Sequence, residues 1–501
     1  MDVFANLATG FGVAVTPENL LFCLAGVLLG TLIGVLPGIG PLTTVALLLP
    51  LTFQLEPVGA LIMLAGIYYG AQYGGSTTAI LVNLPGEASS VVTCLDGHAL
   101  ARQGRAGTAL ATAAIGSFIA GSVATVVVAV AGPLLGVIAL SFGPTEYWAL
   151  MALGLVGVIV LARGPVLKAM AMILVGLLVG LVGTDVTTGT ARYTFGIPEL
   201  VDGVGFAPVA MGLFGLTEVA INLEQGARRD LLTRRVAGLM PTRDDLRRAL
   251  PAIFRGTTLG SLLGTLPGGG PVLSAFASYA MEKKLAAEPA RFGNGAIEGV
   301  AGPESANNAA AQTSFIPLLT LGVPANPVMA LMIGAMMIHG ITPGPQVMTA
   351  QPELFWGIIA SMWIGNALLL VFNLPLIGLW VRFLSTPYRL LFPMIVLFCS
   401  LGAFALNNST FEVLVMAAAG LAGYAFRKLG CDTAPLLMAM VLGPMMEENF
   451  RRAMLLSQGR LAVFVERPIS LVLLAIAVTL LLFVLVPAVR QSREEVFREC
   501  P

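Results

Sequence analysis

The sequence predicts an all-α polytopic membrane protein: two inverted structural repeats with re-entrant hairpins and broken helices, the architecture of secondary transporters. Three observations predict it. The 501 residues are 57% hydrophobic and only 11% charged, with mean hydropathy +0.89, where a soluble domain carries about 25% charged residues. A Gly/Pro-rich phrase occurs twice, as GTLIGVLPGIGP from Gly30 to Pro41 and as GSLLGTLPGGGP from Gly260 to Pro271. Lys and Arg alternate along the two halves in opposite phase.

Composition excludes several classes. Stretches such as Ala106 to Pro144 contain no Lys, Arg, Asp or Glu, and apolar runs long enough for a ~30 Å hydrocarbon core recur. Helices are expected, because an open sheet leaves backbone groups unpaired in lipid and the alternation of barrel strands is missing. No Lys or Arg precedes the first apolar run, so the amino terminus does not read as a cleavable signal peptide. Net charge is zero, which gives no basis for nucleic acid as a partner. Cys23, Cys94, Cys399, Cys431 and Cys500 form no CxxC or metal spacing and read as packing residues. With no HExxH and only His98 and His339, neither set against a nucleophile, an enzyme is not expected. Nor is a metal or organic cofactor.

The elements follow in order. The runs Leu20–Val35 and Leu42–Leu55 flank PGIGP. With 16 and 14 residues they reach only about 24 and 21 Å. The phrase therefore reads as the tip of a re-entrant hairpin, with PGGGP as its partner from the opposite face. Proline ends one arm, and glycines permit a tight turn, including positive φ, with exposed amides. Such backbone is tolerated at depth only inside protein or around a cavity. Gly38, Gly40, Gly268 and Gly270 are thus candidate substrate-binding positions, since helix amino termini suit anions. A broken element follows in each half: YYGAQYGGSTTAILVNLPGE, Tyr68 to Glu87, and GPESANNAAAQTSFIPLLTLGVP, Gly302 to Pro324. Ser76, Thr77, Thr78, Asn83, Asn307 and Asn308 are candidate carboxylate ligands in these segments. Asn83, Glu87, Glu304, Asn307 and the Pro324 break are candidates for ion coupling, as intramembrane carboxylates and carbonyls at broken ends often serve there. Neither segment holds Lys or Arg, so dipoles, hydroxyls and a co-ion, Na⁺ or H⁺, are expected to meet substrate charge.

The halves pair beyond the phrase. Glu56-Pro57 matches Glu288-Pro289, Thr77–Pro85 matches Ile316–Pro324, Ile115–Ser122 matches Ile359–Asn366, Pro144 matches Pro387, and Ala207-Pro208 matches Ala434-Pro435. The copies span 18–223 and 250–446. The expected organisation is a first repeat over 1–223, a cytoplasmic linker over 224–249, a second repeat over 250–446, and a terminal helix (Pro468 to Val486) and cytoplasmic tail within 447–501. Basic residues favour cytoplasmic loops. Arg102, Arg105, Arg163 and Lys168 have no basic counterparts in copy two, while Lys283, Lys284, Arg291, Arg382 and Arg389 have none in copy one. Opposite alternation implies inversion. With the linker inside, 22 of the 27 Lys and Arg fall inside. Arg451, Arg452, Arg460 and Arg467 fall outside and do not fit the rule.

YYGAQYGGSTTAILVNLPGE, the two PGxGP tips and GPESANNAAA resemble the large membrane subunit of the tripartite tricarboxylate transporters, the TctA family. The resemblance covers nearly the whole chain. It implies a bacterial inner-membrane importer of citrate-like carboxylates, driven by an ion gradient. It also implies two partners, a small membrane subunit (TctB-like) and a periplasmic solute-binding protein (TctC-like). A passive anion channel or a single-component carrier is the alternative reading.

Overall fold

The computed structural model describes residues 3–36, 39–162, 165–185, 188–225, 238–266, 270–384 and 388–485. Pro37 and Gly38 of the first tip, Pro267, Gly268 and Gly269 of the second, Pro387, residues 226–237 of the linker and the tail from 486 lie outside the described residues.

The first half contains α1 (Val3–Ala14), α2 (Pro17–Gly34), α3 (Pro41–Leu48), α4 (Pro57–Val82), α5 (Ala106–Ala139), α6 (Pro144–Leu161), α7 (Val166–Gly180) and α8 (Phe206–Glu224, with a π-turn at Met211–Leu216). The second contains α9 (Arg243–Gly264), α10 (Gly270–Leu285), α11 (Glu298–Thr313), α12 (Phe315–Leu321), α13 (Pro327–Ile338), α14 (Pro352–Asn373), α15 (Ile377–Leu384), α16 (Tyr388–Asn407), α17 (Thr410–Lys428), α18 (Ala434–Leu456) and a closing α19 (Pro468–Leu485). Apart from a two-residue hairpin pairing β1 (Gly183–Thr184) with β2 (Ala191–Arg192), the described chain is helical. Among the described residues, five helices are long and apolar enough to cross a membrane: α2, α5, α8, α14 and α17. Outer helices expose leucine and phenylalanine, such as Leu134 at 64%, the surface a lipid solvent calls for. Together these features are those of an all-α polytopic membrane protein.

Two helices are sheathed by the rest. Nearly every residue of α4 and α11 is buried, including Gln72, Ser76, Glu304, Asn307 and Gln312. Polar residues can sit at this depth because protein, not lipid, surrounds them.

Glycine spacing explains how α2 meets α4. Gly26, Gly30 and Gly34 face Met63, Ile67 and Ala71, and a Cβ at each would lie 2.3–2.4 Å from the facing carbonyl oxygen. Gly256, Gly260 and Gly264 of α9 meet Gly302, Ala306 and Ala310 of α11 in the same way, at 2.2–2.5 Å. Small residues every fourth position let two backbones touch. Both series rise together, so α2 runs parallel to α4, and α9 to α11. The chain between them must therefore turn back. In the first half α3 and the 3₁₀ turn Leu49–Thr52 make that return over 12 residues, about 20 Å. In the second, α10 returns, and Arg255 of α9 donates to both carboxylate oxygens of Glu282, at 2.8 and 2.5 Å. Glu282 is 2% exposed. The pair closes the open end of that hairpin.

Other contacts recur in exchanged form. Gly176 of α7 packs on Leu436 and Ala439 of α18, while Gly212 and Leu216 of α8 pack on Met416, Ala419 and Gly420 of α17. Between the halves, α5 and α14 cross antiparallel: Gly121 lies on Asn366, Gly132 on Phe355, and the Trp363 indole donates to the Ser122 carbonyl at 3.1 Å.

Ionic contacts gather in two layers. One holds Arg105–Asp245, Arg255–Glu282, Arg291–Glu298 and Lys428–Glu224. In it Asp96 accepts from the Gly293, Gly295 and Ala296 amides and from Tyr279. Burial pushes the Asp245 carboxyl up, but Arg105 and Thr242 outweigh this and hold it below the usual carboxylate range. The other layer holds Arg192–Glu447, Arg451–Asp185, Arg452–Glu448, Arg460–Glu466 and Arg467–Glu146. The four arginines that broke the charge rule thus share a layer with Arg192 and Glu146, each beside an acid. Paired, they add little net positive charge there.

Candidate functional site

Each described tip residue opens a helix. Gly40 precedes α3, with Pro41 at its first position and no side chain capping its amides; Gly270 opens α10 before Pro271. Gly40 has φ −74° and ψ 176°, so the expected positive φ is not found there: this is extended backbone that any residue adopts. Gly270, at φ +51°, does need the left-handed region. Each glycine leans on the polar turn that follows in its own half. A Cβ on Gly40 would lie 3.4 Å from Glu87 Cβ, and one on Gly270 would lie 3.2 Å from Asn326 Cβ.

Those turns are the breaks, and each sits near the end of its expected segment. In the Tyr68–Glu87 segment α4 runs unbroken to Val82 and ends on Asn83 in the left-handed conformation, φ 58°. In the Gly302–Pro324 segment α11 passes into α12 with only Ser314 between, and the chain breaks at Gly322, φ 67°. Both breaks close with a proline, Pro85 and the buried Pro324. Gly86 admits no side chain, since its Cβ would lie 2.3 Å from Gly75 Cα.

The two halves meet at these segments. Asn307 Nδ2 donates to Glu87 Oε1 at 3.0 Å. Ser76 Oγ donates to Glu304 Oε2 at 2.6 Å, and Thr93 donates to Glu304 Oε1. Asn308 Nδ2 donates to Ser117 Oγ at 2.6 Å and to the Glu304 carbonyl at 3.1 Å. Ser76, Asn307, Asn308, Glu87 and Glu304 are therefore brought together. The others have local duties. Thr77 returns its hydroxyl to the Tyr73 carbonyl, and Thr78 donates to the Val35 carbonyl at the end of α2. Asn83 is exposed. None of the ion pairs among the described residues involves Glu87 or Glu304.

Sequence reasoning missed several groups. Tyr68 OH, Gln72 Oε1, Gln312 Oε1, Asn326 Nδ2 and both amide atoms of Asn366 are buried without a protein partner, as is Oδ1 of the expected Asn307. Such groups cost free energy unless something bonds them. Asn366, in the middle of an apolar helix, and Tyr68 and Gln72, inside the quoted motif, carried a usable signal. Thr93 and Ser117 did not, because their neighbours are distant in sequence. Asn326 Oδ1 accepts from the Val328 and Met329 amides and caps α13. Its side-chain nitrogen remains available. Of the two histidines, His98 Nδ1 lies 3.1 Å from the Ile80 carbonyl, and His339 is half-buried behind α13.

Comparison with known proteins gives the same direction. A 52.8 kDa protein from the TAR-I ttuC′ 3′ region of Agrobacterium vitis is 58% identical over 499 residues, covering 100% of this chain and 99% of the relative. A protein from the TAR-II ttuC′ 3′ region of the same organism is 60% identical over 240 residues, covering 48% of this chain and 99% of the relative. No solved structure matches. The model of the tripartite tricarboxylate transporter TctA family matches residues 20–438. This chain belongs to the tripartite tricarboxylate transporter TctA family.

Proposed function

We propose that the chain is the large membrane subunit of a binding-protein-dependent secondary transporter that takes up a small carboxylate, citrate or another tri- or dicarboxylate, across a bacterial inner membrane. Its partners are a small membrane subunit and a periplasmic solute-binding protein, and an inward Na⁺ or H⁺ gradient drives it. The two halves are inverted repeats and their hairpins are re-entrant. The opposite charge phase, the returning arms and the antiparallel crossing of α5 and α14 support this. Substrate lies between the two tips, near Gly38, Gly40, Gly268 and Gly270, with Asn307 and the orphaned amides beside it.

One observation carries the reading. The two glycine tips each lean on a polar break, Glu87 and Asn326, and Asn307 bonds Glu87 across the halves. Helix amino termini and neutral amides can then receive a carboxylate with no buried cationic side chain. The test is uptake of labelled citrate by proteoliposomes holding the chain with both partners. Accumulation above the external concentration, abolished by an ionophore, is expected. Mere equilibration would mark a channel. Equal uptake by the chain alone would mark a single-component carrier.

A further inference from the structure

We infer that Glu304 is the carboxyl group that carries the coupling proton. This deepens the transport reading above and rests on it. Glu304 is 1% exposed, and its two oxygens meet only hydroxyls, those of Ser76 and Thr93. A buried carboxylate without a cation is costly, so such a group binds a proton or a metal cation.

None of the ion pairs among the described residues reaches Glu304, and Arg382 of α15, the helix whose Ile377 lines the adjoining cavity, is exposed. Tyr73 faces Glu304 from α4, and its hydroxyl donates to the Ala114 carbonyl at 3.2 Å. Glu87 lies one turn away through Asn307. Asp96, beyond Thr93, is occupied by Tyr279 and three loop amides. From α10 comes Glu282, already paired with Arg255 of α9. α5 offers Ser117 and no ionisable group.

The repeat shows that the fold does not require this cluster. The register that sets Met63, Ile67 and Ala71 against Gly302, Ala306 and Ala310 sets Ala65 against Glu304 and Phe315 against Ser76. At the equivalent place the chain thus uses Ala65 and Phe315, both 1% exposed, with Tyr69 and Phe315 rings 6.1 Å apart. An apolar contact satisfies the packing there. The carboxyl is an addition to one side only, as a coupling site must be if it is to differ from the substrate site.

The space beside it selects the ion. The cavity offers about 20 Å³ of room for water centres, enough for one water. Five of its eleven lining residues, Leu110, Ala113, Ala114, Leu374 and Ile377, are apolar. Ser76, Thr77 and Tyr73 donate their hydroxyl protons to the carboxylate or to backbone carbonyls, and Ser117 and Asn373 complete the polar side of the wall. A metal cation would have to shed nearly all its water to enter a space this small. A proton needs one oxygen and one water to deliver it. Glu304 takes a proton from outside water and becomes a neutral acid. One charge of the bound carboxylate is thereby offset, and the proton is released to cytoplasmic water after the substrate.

The test uses the three-part system and purified full chain. In Glu304→Gln, accumulation driven by a pH gradient should fall on the order of tenfold or more, the size of a typical linkage between two ligands. Its residual exchange of labelled for unlabelled substrate should no longer vary with pH. Glu304→Asp, which keeps a titratable group, should retain pH drive with a displaced pH profile. Infrared difference spectra of the purified chain should show a buried carboxylic-acid C=O band that titrates in the wild type and is missing in Glu304→Gln. Undiminished pH-driven accumulation in Glu304→Gln would overturn the proposal, as would drive by a Na⁺ gradient at equal pH that this variant loses. If the wild type moves no carboxylate, the transport reading fails instead. The infrared band then decides the proton site by itself, its absence from the wild type overturning it.

Discussion

A single backbone angle gives Asn83 a structural task, whether or not its amide is also a ligand. At φ 58° it terminates α4 in a region that Gly enters freely, Asn tolerates and a β-branched residue reaches only at roughly 1–3 kcal/mol. Its counterpart in the second half, Gly322, has no side chain to offer a ligand, yet makes the same turn. Two variants separate cap from ligand. Asn83→Gly is expected to insert and transport normally, while Asn83→Val is expected to lower thermal stability of the detergent-solubilised protein. Lost transport in well-folded Asn83→Gly would restore the amide as a ligand. The tip glycines part in the same way. Alanine at Gly40 meets only an ordinary contact at 3.4 Å, whereas alanine at Gly270 is strained by φ +51° and meets Asn326 at 3.2 Å. Gly40→Ala should therefore fold like the wild type, and Gly270→Ala should show a lower melting temperature.

Among the elements, the glycine rows set how close α2 comes to α4 and α9 to α11. With 2.2–2.5 Å between an added Cβ and the facing carbonyls, a larger residue must push the helices apart. Overpacking of this kind costs about 1–3 kcal/mol or more. Gly30→Val and Gly260→Val are both expected to reduce folded protein in the membrane, measured by fluorescence-detected size exclusion. Equal effects would follow from equal roles in the two halves. A monodisperse peak of normal height from either would show that the close approach is dispensable.

For the whole molecule the question is orientation. Glu56 and Glu288 are equivalent in the repeat and both are exposed. Inverted copies place them on opposite sides of the membrane, parallel copies on the same side. In a background without the five cysteines, Glu56→Cys should react with a membrane-impermeant maleimide from the periplasm, and Glu288→Cys only after permeabilisation. Labelling of both from one side would refute the inversion. Arg105, Arg255 and Lys428 lie in one layer, and Glu447, Asp185 and Glu146 hold the arginines of the other.

The sequence by itself determined the solvent and the repetition. Apolar length, charge deficit and the doubled PGxGP phrase are local or periodic properties, and lipid leaves helices as the economical way to satisfy the backbone. It also marked Ser76, Glu87, Glu304, Asn307 and Asn308, because polar residues in apolar surroundings stand out without a structure. The tertiary structure decided the rest. It placed the breaks near the ends of Tyr68–Glu87 and Gly302–Pro324, at Asn83 and Gly322, since packing inside a protein sheath sustains α4 through its polar stretch. It assigned Asn326 to a cap and turned Thr77 and Thr78 back on carbonyls. It joined Glu304 to Thr93 and Ser76, which lie 211 and 228 residues away along the chain. Such meetings depend on how two halves exchange and cross, and no spacing along one chain encodes the distance between atoms that only packing brings together.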